Sequence, residues 1–269
     1  MGTMMIQFFN EGEATEFDDE TNNYGHANGK SSFVPVEFNS HPKASFKFGP
    51  KDFIEANGTR FWENSGIAAG RAVQRAILKT ATELICAANI PTTGTDSSTA
   101  LPFGDWNVLE AAGKLTKEKV AEDCRAACDL AEIDPAECVL LLNGRAYGEV
   151  LATLDAHAYG GTEAIRSGMI EGLYGFDAVM CNDSFKTGEN LLGAIVPRSA
   201  IGVAARTIPI VNPAKFDEVG TITDEKSGLT IQLRRGGDWK TDSAVLTAEA
   251  LFGAKLLQPT KIVRIVSAA

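Results

Sequence analysis

Histidine is nearly missing from this chain, with 3 in 269 residues. His26, His41 and His157 stand in unlike contexts, none at ligand spacing from another His or Cys, so a histidine-based zinc site has no support. No Gly-x-Ser-x-Gly turn is present, which removes the usual signature of a Ser-His-Asp hydrolase. There is no Cys-x-x-Cys pair either: the 5 cysteines are Cys86, Cys124, Cys128, Cys138 and Cys181. An odd number without paired spacing argues for reduced thiols packed in a core. Cys124 and Cys128 stand four apart on one helix face, but no second pair completes a tetrahedral metal set.

Long apolar runs are also lacking. No window approaches the roughly 18 consecutive apolar residues of a membrane helix. Met1 to Asn10 has neither the basic flank nor the apolar stretch of a signal peptide, so the expectation is a soluble protein that works where it is made, with no membrane partner. Basic residues are outnumbered, with Lys+Arg 25 against Asp+Glu 35 and a net charge of -10. That balance makes a poor grip on phosphate backbones. Gly25-His-Ala-Asn-Gly29-Lys30-Ser31-Ser32 has the look of a phosphate loop, yet it is one residue short between the glycines and follows an acidic stretch instead of a strand. No nucleophile, base and oxyanion donor assemble anywhere. The reading is therefore no catalytic residue, no cofactor and no metal.

What is present is a globular composition, 44% hydrophobic and 22% charged, with enough chain for a real core. The first thirty residues differ from the rest: Glu11, Glu13, Glu16, Asp18, Asp19 and Glu20 crowd together, then Asn22, Asn23, Gly25, Asn28 and Gly29 follow. Such a stretch buries too little apolar surface to offset its own ordering, and reads as an extended arm. From Phe33 to Phe48, two segments with alternating aromatics flank Asn39-Ser-His-Pro42, which predicts a two-stranded β-ribbon. An isolated hairpin is marginal in water, so Phe33, Phe38, Phe46 and Phe48 are candidates for contact with another subunit.

Pro50 to Phe53 opens a helical tract. Ser65 to Asn89 then predicts a long amphipathic helix, with Ser65 as N-cap and Pro91 as the stop; Ile67, Val73, Ile77, Leu78, Leu84 and Ile85 form its apolar side. A helix over 116–131 with Thr116 as N-cap comes next, then a buried strand at 138–142 and a helix over 144–154. Strands at 175–181 and 192–196 and a short helix at 200–205 follow. Ser227 to Arg234 alternates as a strand, Gly236-Gly-Asp238 reads as a turn, 241–252 is mixed, and 261–266 is a closing strand. Period-two segments at both ends around an α/β middle suggest a chain that leaves one domain and returns to it.

The order of these features resembles one family. It runs from the acidic arm through a ribbon ending in Ala44-Ser-Phe-Lys-Phe-Gly-Pro-Lys-Asp-Phe53, the long helix and the α/β middle. Gly193-Ala-Ile-Val-Pro-Arg-Ser-Ala-Ile-Gly-Val-Ala-Ala-Arg206 then precedes Ser227-Gly-Leu-Thr-Ile-Gln-Leu-Arg234, Asp238, Leu251-Phe-Gly253 and Pro259. From about residue 33 to the end, this is similar to the major capsid protein of tailed bacteriophages, whose fold is shared with encapsulins and the herpesvirus capsid floor. The resemblance implies an α+β fold with four parts. These are an N-terminal arm at 1–30, an extended loop at 31–49 that lies over a neighbouring subunit, a discontinuous peripheral domain at 50–95 and 206–269, and an axial domain at 96–205.

It also implies a structural protein, not an enzyme, that self-assembles through pentamers and hexamers into an icosahedral shell. The shell would enclose double-stranded DNA without sequence-specific binding and would be built in the host bacterial cytoplasm. Scaffolding, portal and decoration proteins would be separate partners. Lys43 and Lys47 lie in or beside the ribbon, but no partner Asn matches the isopeptide chemistry of some relatives, so that cross-link is not expected here. The alternatives are an encapsulin-type shell around enzyme cargo and a soluble α/β enzyme with an unrecognised site.

Overall fold

The computed structural model describes residues 3–9, 31–55, 59–90, 108–111, 115–154, 170, 173–176, 178–181, 185–210, 217–223, 229–238 and 242–267. Strand β1 (Thr3–Phe9) pairs antiparallel with β2 (Ser31–Glu37), Thr3 opposite Glu37 and Phe9 opposite Ser31. This ribbon is not the expected one. The two segments around Asn39–Pro42 are both strands, but they do not pair with each other. Strand β3 (Lys43–Phe48) instead pairs with β11 (Ser243–Glu249). The cause lies in the linker: Ser40 exchanges backbone hydrogen bonds with Phe252 at 3.1 and 3.0 Å, and the Pro42 carbonyl accepts from Ala250 N at 3.2 Å. These bonds carry the chain onward across the C-terminal strands instead of turning it back. Residues 3–9, expected within an arm, supply β2 with its partner, and residues 10–30 lie outside the described residues.

Strand β3 opens a four-stranded antiparallel sheet, in the order β3, β11, β10 (Thr230–Asp238) and β9 (Glu218–Thr223). Gly236 to Asp238 continues β10, with Gly237 opposite Ala244 and Asp238 opposite Ser243, so the expected turn falls further along. After the short α1 (Pro50–Glu55), the long helix α2 (Thr59–Glu83) packs on this sheet. It begins six residues before the expected Ser65 cap because its first turn is held by tertiary contact, Trp62 meeting Phe48 edge-on at 5.5 Å. Ala69, Val73 and Ile77, four residues apart, form the buried stripe against Ala248, Ala250 and Phe252, whereas Ile67 and Leu78 are exposed. The helix ends at Glu83, and the following turns bury Ile85, Cys86 and Ile90.

The middle of the chain builds a five-stranded mixed sheet, ordered β4 (Val108–Ala111), β13 (Val263–Ser267), β7 (Leu191–Pro197), β5 (Cys138–Leu142) and β6 (Ala178–Cys181). The closing strand β13 was expected with residues 206–269 beside the long helix. It pairs instead with β7 and β4, its Val263, Arg264 and Ile265 side chains all buried, so the chain ends in the middle sheet.

Local signals governed this region well. Thr116 caps α3 (Lys117–Lys119), accepting from Lys119 N at 3.5 Å, and a π-turn at Val120–Cys124 leads into α4 (Arg125–Leu130). Asn143 caps α5 (Gly144–Thr153), accepting from Ala146 N at 2.8 Å. Both are the side-chain caps expected for orphan N–H groups. Cys124, Cys128 and Cys138 join the core between these helices and the sheet, as packed thiols.

Strand β8 (Ile201–Arg206) falls where a short helix was expected and pairs antiparallel with β12 (Leu251–Leu256). Alternation of Gly202 and Ala204 inward with Ile201 and Val203 half-buried is a strand pattern, and the partner 45 or more residues away is what fixes it. The whole is mixed helix and sheet, as the α+β expectation had it.

Candidate assembly surface

Of the four aromatic candidates, the structure separates two from two. Phe33 and Phe46 are 55% and 37% exposed, whereas Phe38 and Phe48 are 7% and 8% exposed within their own chain. Phe38 packs with Val36, Ala204, Ile6 and Leu251. Phe48 stacks on Phe46 at 6.1 Å and meets Trp62, over whose ring the Arg235 guanidinium sits at 4.7 Å. Phe38 and Phe48 are thus buried within their own chain, each where a strand meets the body.

The ribbon has two faces, because directly opposed residues project together. On one, Ile6 opposes Val34 and Met4 opposes Val36; on the other, Met5 opposes Pro35 and Gln7 opposes Phe33. Val36 and Ile6 seat the first face on the β8–β12 pair, Val36 only 1% exposed, whereas Met4 on the same face is 50% exposed. The seat is made by glycine. A Cβ at Gly253 would lie 2.1 Å from the Glu37 carbonyl oxygen, and one at Gly202 would lie 2.8 Å from Ile6 Cδ1. Lys255 Nζ donates to the Pro35 carbonyl at 3.2 Å. The second face looks away from the body, with Met5 56% and Phe33 55% exposed. Met5 was not singled out from sequence; its signal was the apolar Met4-Met-Ile6 run, which only a partner strand makes meaningful.

Helix α2 lies mainly against β3, β11 and β12 and more lightly against β10, at the centre of the sheet order. Beside it is a groove of about 480 Å³ whose floor is Ile222, Ile231, Leu233 and Leu246 and whose wall carries Trp62 and Ile67. Gly66 and Gly70 on the wall keep it open: a Cβ at Gly70 would meet nothing within 4 Å. Arg71 also lines the groove, and Arg75 and Lys79 continue along the same exposed side of α2.

The buried charges are ties between elements. Glu249 on β11 is bonded by Arg234 on β10 and by His41 Nε2 at 3.1 Å, just before β3. Glu189 accepts from Arg264 on β13 at 2.6 Å and from Ala87 N at 2.9 Å, linking the segment after α2 to the middle sheet. Burial first, and the Asp123 charge second, push the Cys124 thiol up to about 12. The Cys128 thiol is held far above its ordinary range by its hydrogen bond to Cys138 and by burial. Such thiols stay protonated and unreactive. Among the described residues, no group of three or more His, Cys, Asp or Glu is placed to hold a metal ion.

No family model and no curated protein sequence matches the chain. Solved structures do. It is similar to a chain of the bacteriophage PhiM1 mature capsid, with TM-score 0.55 and 12% identity over 100% of this chain and 82% of the other. It is also similar to the capsid structure of cyanophage P-SCSP1u, with TM-score 0.54 and 12% identity over 99% and 83%. A third likeness is to the capsid of the native GTA particle, with TM-score 0.52 and 14% identity over 99% and 85%. The chain, with its helix-backed sheet, second mixed sheet and ribbon, thus has the fold of phage capsid proteins.

Proposed function

We propose that this protein is a major capsid protein, a structural subunit that self-assembles through pentamers and hexamers into an icosahedral shell around a phage double-stranded DNA genome. The observation that carries the reading is end-to-end similarity to chains of assembled capsids, together with a ribbon whose outer face holds Met5 and Phe33 more than half exposed. Exposed apolar patches of this kind mark association surfaces. The α2-backed sheet would form the peripheral domain. The five-stranded sheet, with the closing strand β13, would form the axial domain. The buried thiols and paired charges serve packing, which fits a role without catalysis. A net charge of -10 suits a wall that must contain DNA without adhering to it. Separate scaffolding, portal and decoration proteins fit this role, and the virion is its place.

The test is size-exclusion chromatography followed by electron microscopy of the excluded fraction, with nucleic acid and protein assayed inside the particles. Closed shells holding DNA after phage infection support the reading. Shells holding only a protein cargo would move it to the encapsulin class, and a small monodisperse species would overturn it.

A further inference from the structure

We infer that Glu189 is a two-position latch between the chain leaving α2 and the five-stranded sheet. In the first position, the one in this structure, its Oε2 accepts from Ala87 N at 2.9 Å and from Arg264 Nη2 at 2.6 Å. In the second, both carboxylate oxygens lie along one edge of the Arg264 guanidinium, and the Ala87 N–H is released to water. The latch is internal to one chain and does not depend on the shell reading.

The atoms around the carboxylate define both settings. Two donors share Oε2, while Oε1 has no partner among the described residues. Arg264 Nε is buried and has none among them either. Nε and Nη2 form the edge of a guanidinium that grips a carboxylate through two parallel bonds. A buried donor left orphaned beside an unused acceptor oxygen marks a bond given up for another. A turn of the Glu189 carboxylate makes the Nε bond and breaks the one to Ala87. Ala87 is exposed, so its N–H takes water instead at small net cost. The two positions trade one hydrogen bond for one and lie close in free energy.

The mounting suits such a part. Gly188 at φ 90° and Asn190 at φ 47° flank Glu189, both in the left-handed region that glycine enters freely and asparagine tolerates. The Asn190 carbonyl accepts from Ser267 N at 3.0 Å, which fixes this turn to the strand that carries Arg264. Across the joint, Ile85 and Ile90 are buried with Leu191 and Ile262, contacts without direction. Among the described residues, the Ala87 bond is the one hydrogen bond from 84–90 to this turn or to the five-stranded sheet. It therefore sets where the end of α2 sits, and a pull on α2 favours the second position.

The test is hydrogen exchange read by mass spectrometry, with the Ala87 amide resolved by overlapping peptides and β7 as the internal standard. In the unaltered chain, Ala87 exchange should stay constant in urea below the unfolding transition, because turning one side chain exposes little surface. Exchange in β7 should rise with urea. Arg264→Lys keeps the charge but has no donor in place of Nε, so the second position loses its extra bond. The ratio of Ala87 exchange to β7 exchange should then fall at least about threefold. A ratio that is unchanged or raised in this variant would overturn the latch. So would Ala87 exchange in the unaltered chain that climbs with urea in step with β7, a result that needs no variant to fold.

Discussion

Gly253 lies so close beneath Glu37 that a Cβ on it would sit 2.1 Å from the Glu37 carbonyl oxygen. Real Cβ atoms do not approach backbone that closely, so β2 rests on β12 only because residue 253 has no side chain. The root of the ribbon, and hence the direction in which its outer face points, is set by this contact.

Gly253→Ala should therefore lift β2 from its seat, at a cost of about 1–3 kcal/mol typical of overpacking. Urea unfolding followed by circular dichroism measures it. Gly220→Ala on β9, where a Cβ meets nothing within 4 Å, is the control and should leave the midpoint unchanged or slightly raised.

The aromatic pair on β2 and just beyond it should behave oppositely. Phe38 is buried, so Phe38→Ala should lose about 3–5 kcal/mol of folding stability through transfer and cavity costs. Phe33 is exposed, so Phe33→Ala should change folding by no more than about 0.5 kcal/mol while weakening association. Denaturant melts of the dissociated subunit, beside light scattering of assembly, separate the two effects.

The helix capped by Thr116, the strand at 138–142 and the helix that follows it were legible in the sequence, because their signals are local. Thr116 and Asn143 cap helices, and Cys138 to Leu142 is a strand. Strand partners were not legible. Ala200 to Ala205 is too short for its alternation to decide between helix and strand, and becomes β8 because Leu251 to Leu256 pairs with it. Phe33–Phe38 and Phe46–Phe48 looked like two halves of one ribbon, but their partners lie at Thr3–Phe9 and Ser243–Glu249. For the same reason only Phe33 and Phe46 of the proposed contact residues are exposed: alternation shows that a strand has two faces, but it does not show which face its own chain covers.

Glu189 and Arg264 form a largely buried pair at 2.6 Å, and Arg264 Nε has no partner among the described residues. Removing one charge leaves the other stranded in the sheet, so Glu189→Gln should cost about 3–5 kcal/mol. Combining it with Arg264→Met should recover much of that loss. A double-mutant cycle from chemical denaturation measures the coupling.

The raised thiol of Cys124 gives a pH dependence with a defined sign. Its value is about 12 in the folded chain against 9.0 for the free group. An unfolded chain therefore gives up the proton first, and the stability present below pH 9 falls as pH rises toward 12. The slope contributed is about 1.4 kcal/mol per pH unit within that window. Cys124→Ala should lower stability at neutral pH but flatten the alkaline slope, as read from urea midpoints across the window.

The most direct measurement is electron cryo-microscopy of the purified chain after concentration. Closed particles in which every ribbon crosses onto an adjoining copy, its Met5–Phe33 face covered, are the predicted result. A dispersed single polypeptide with that face still in solvent at every concentration tried would contradict the assignment.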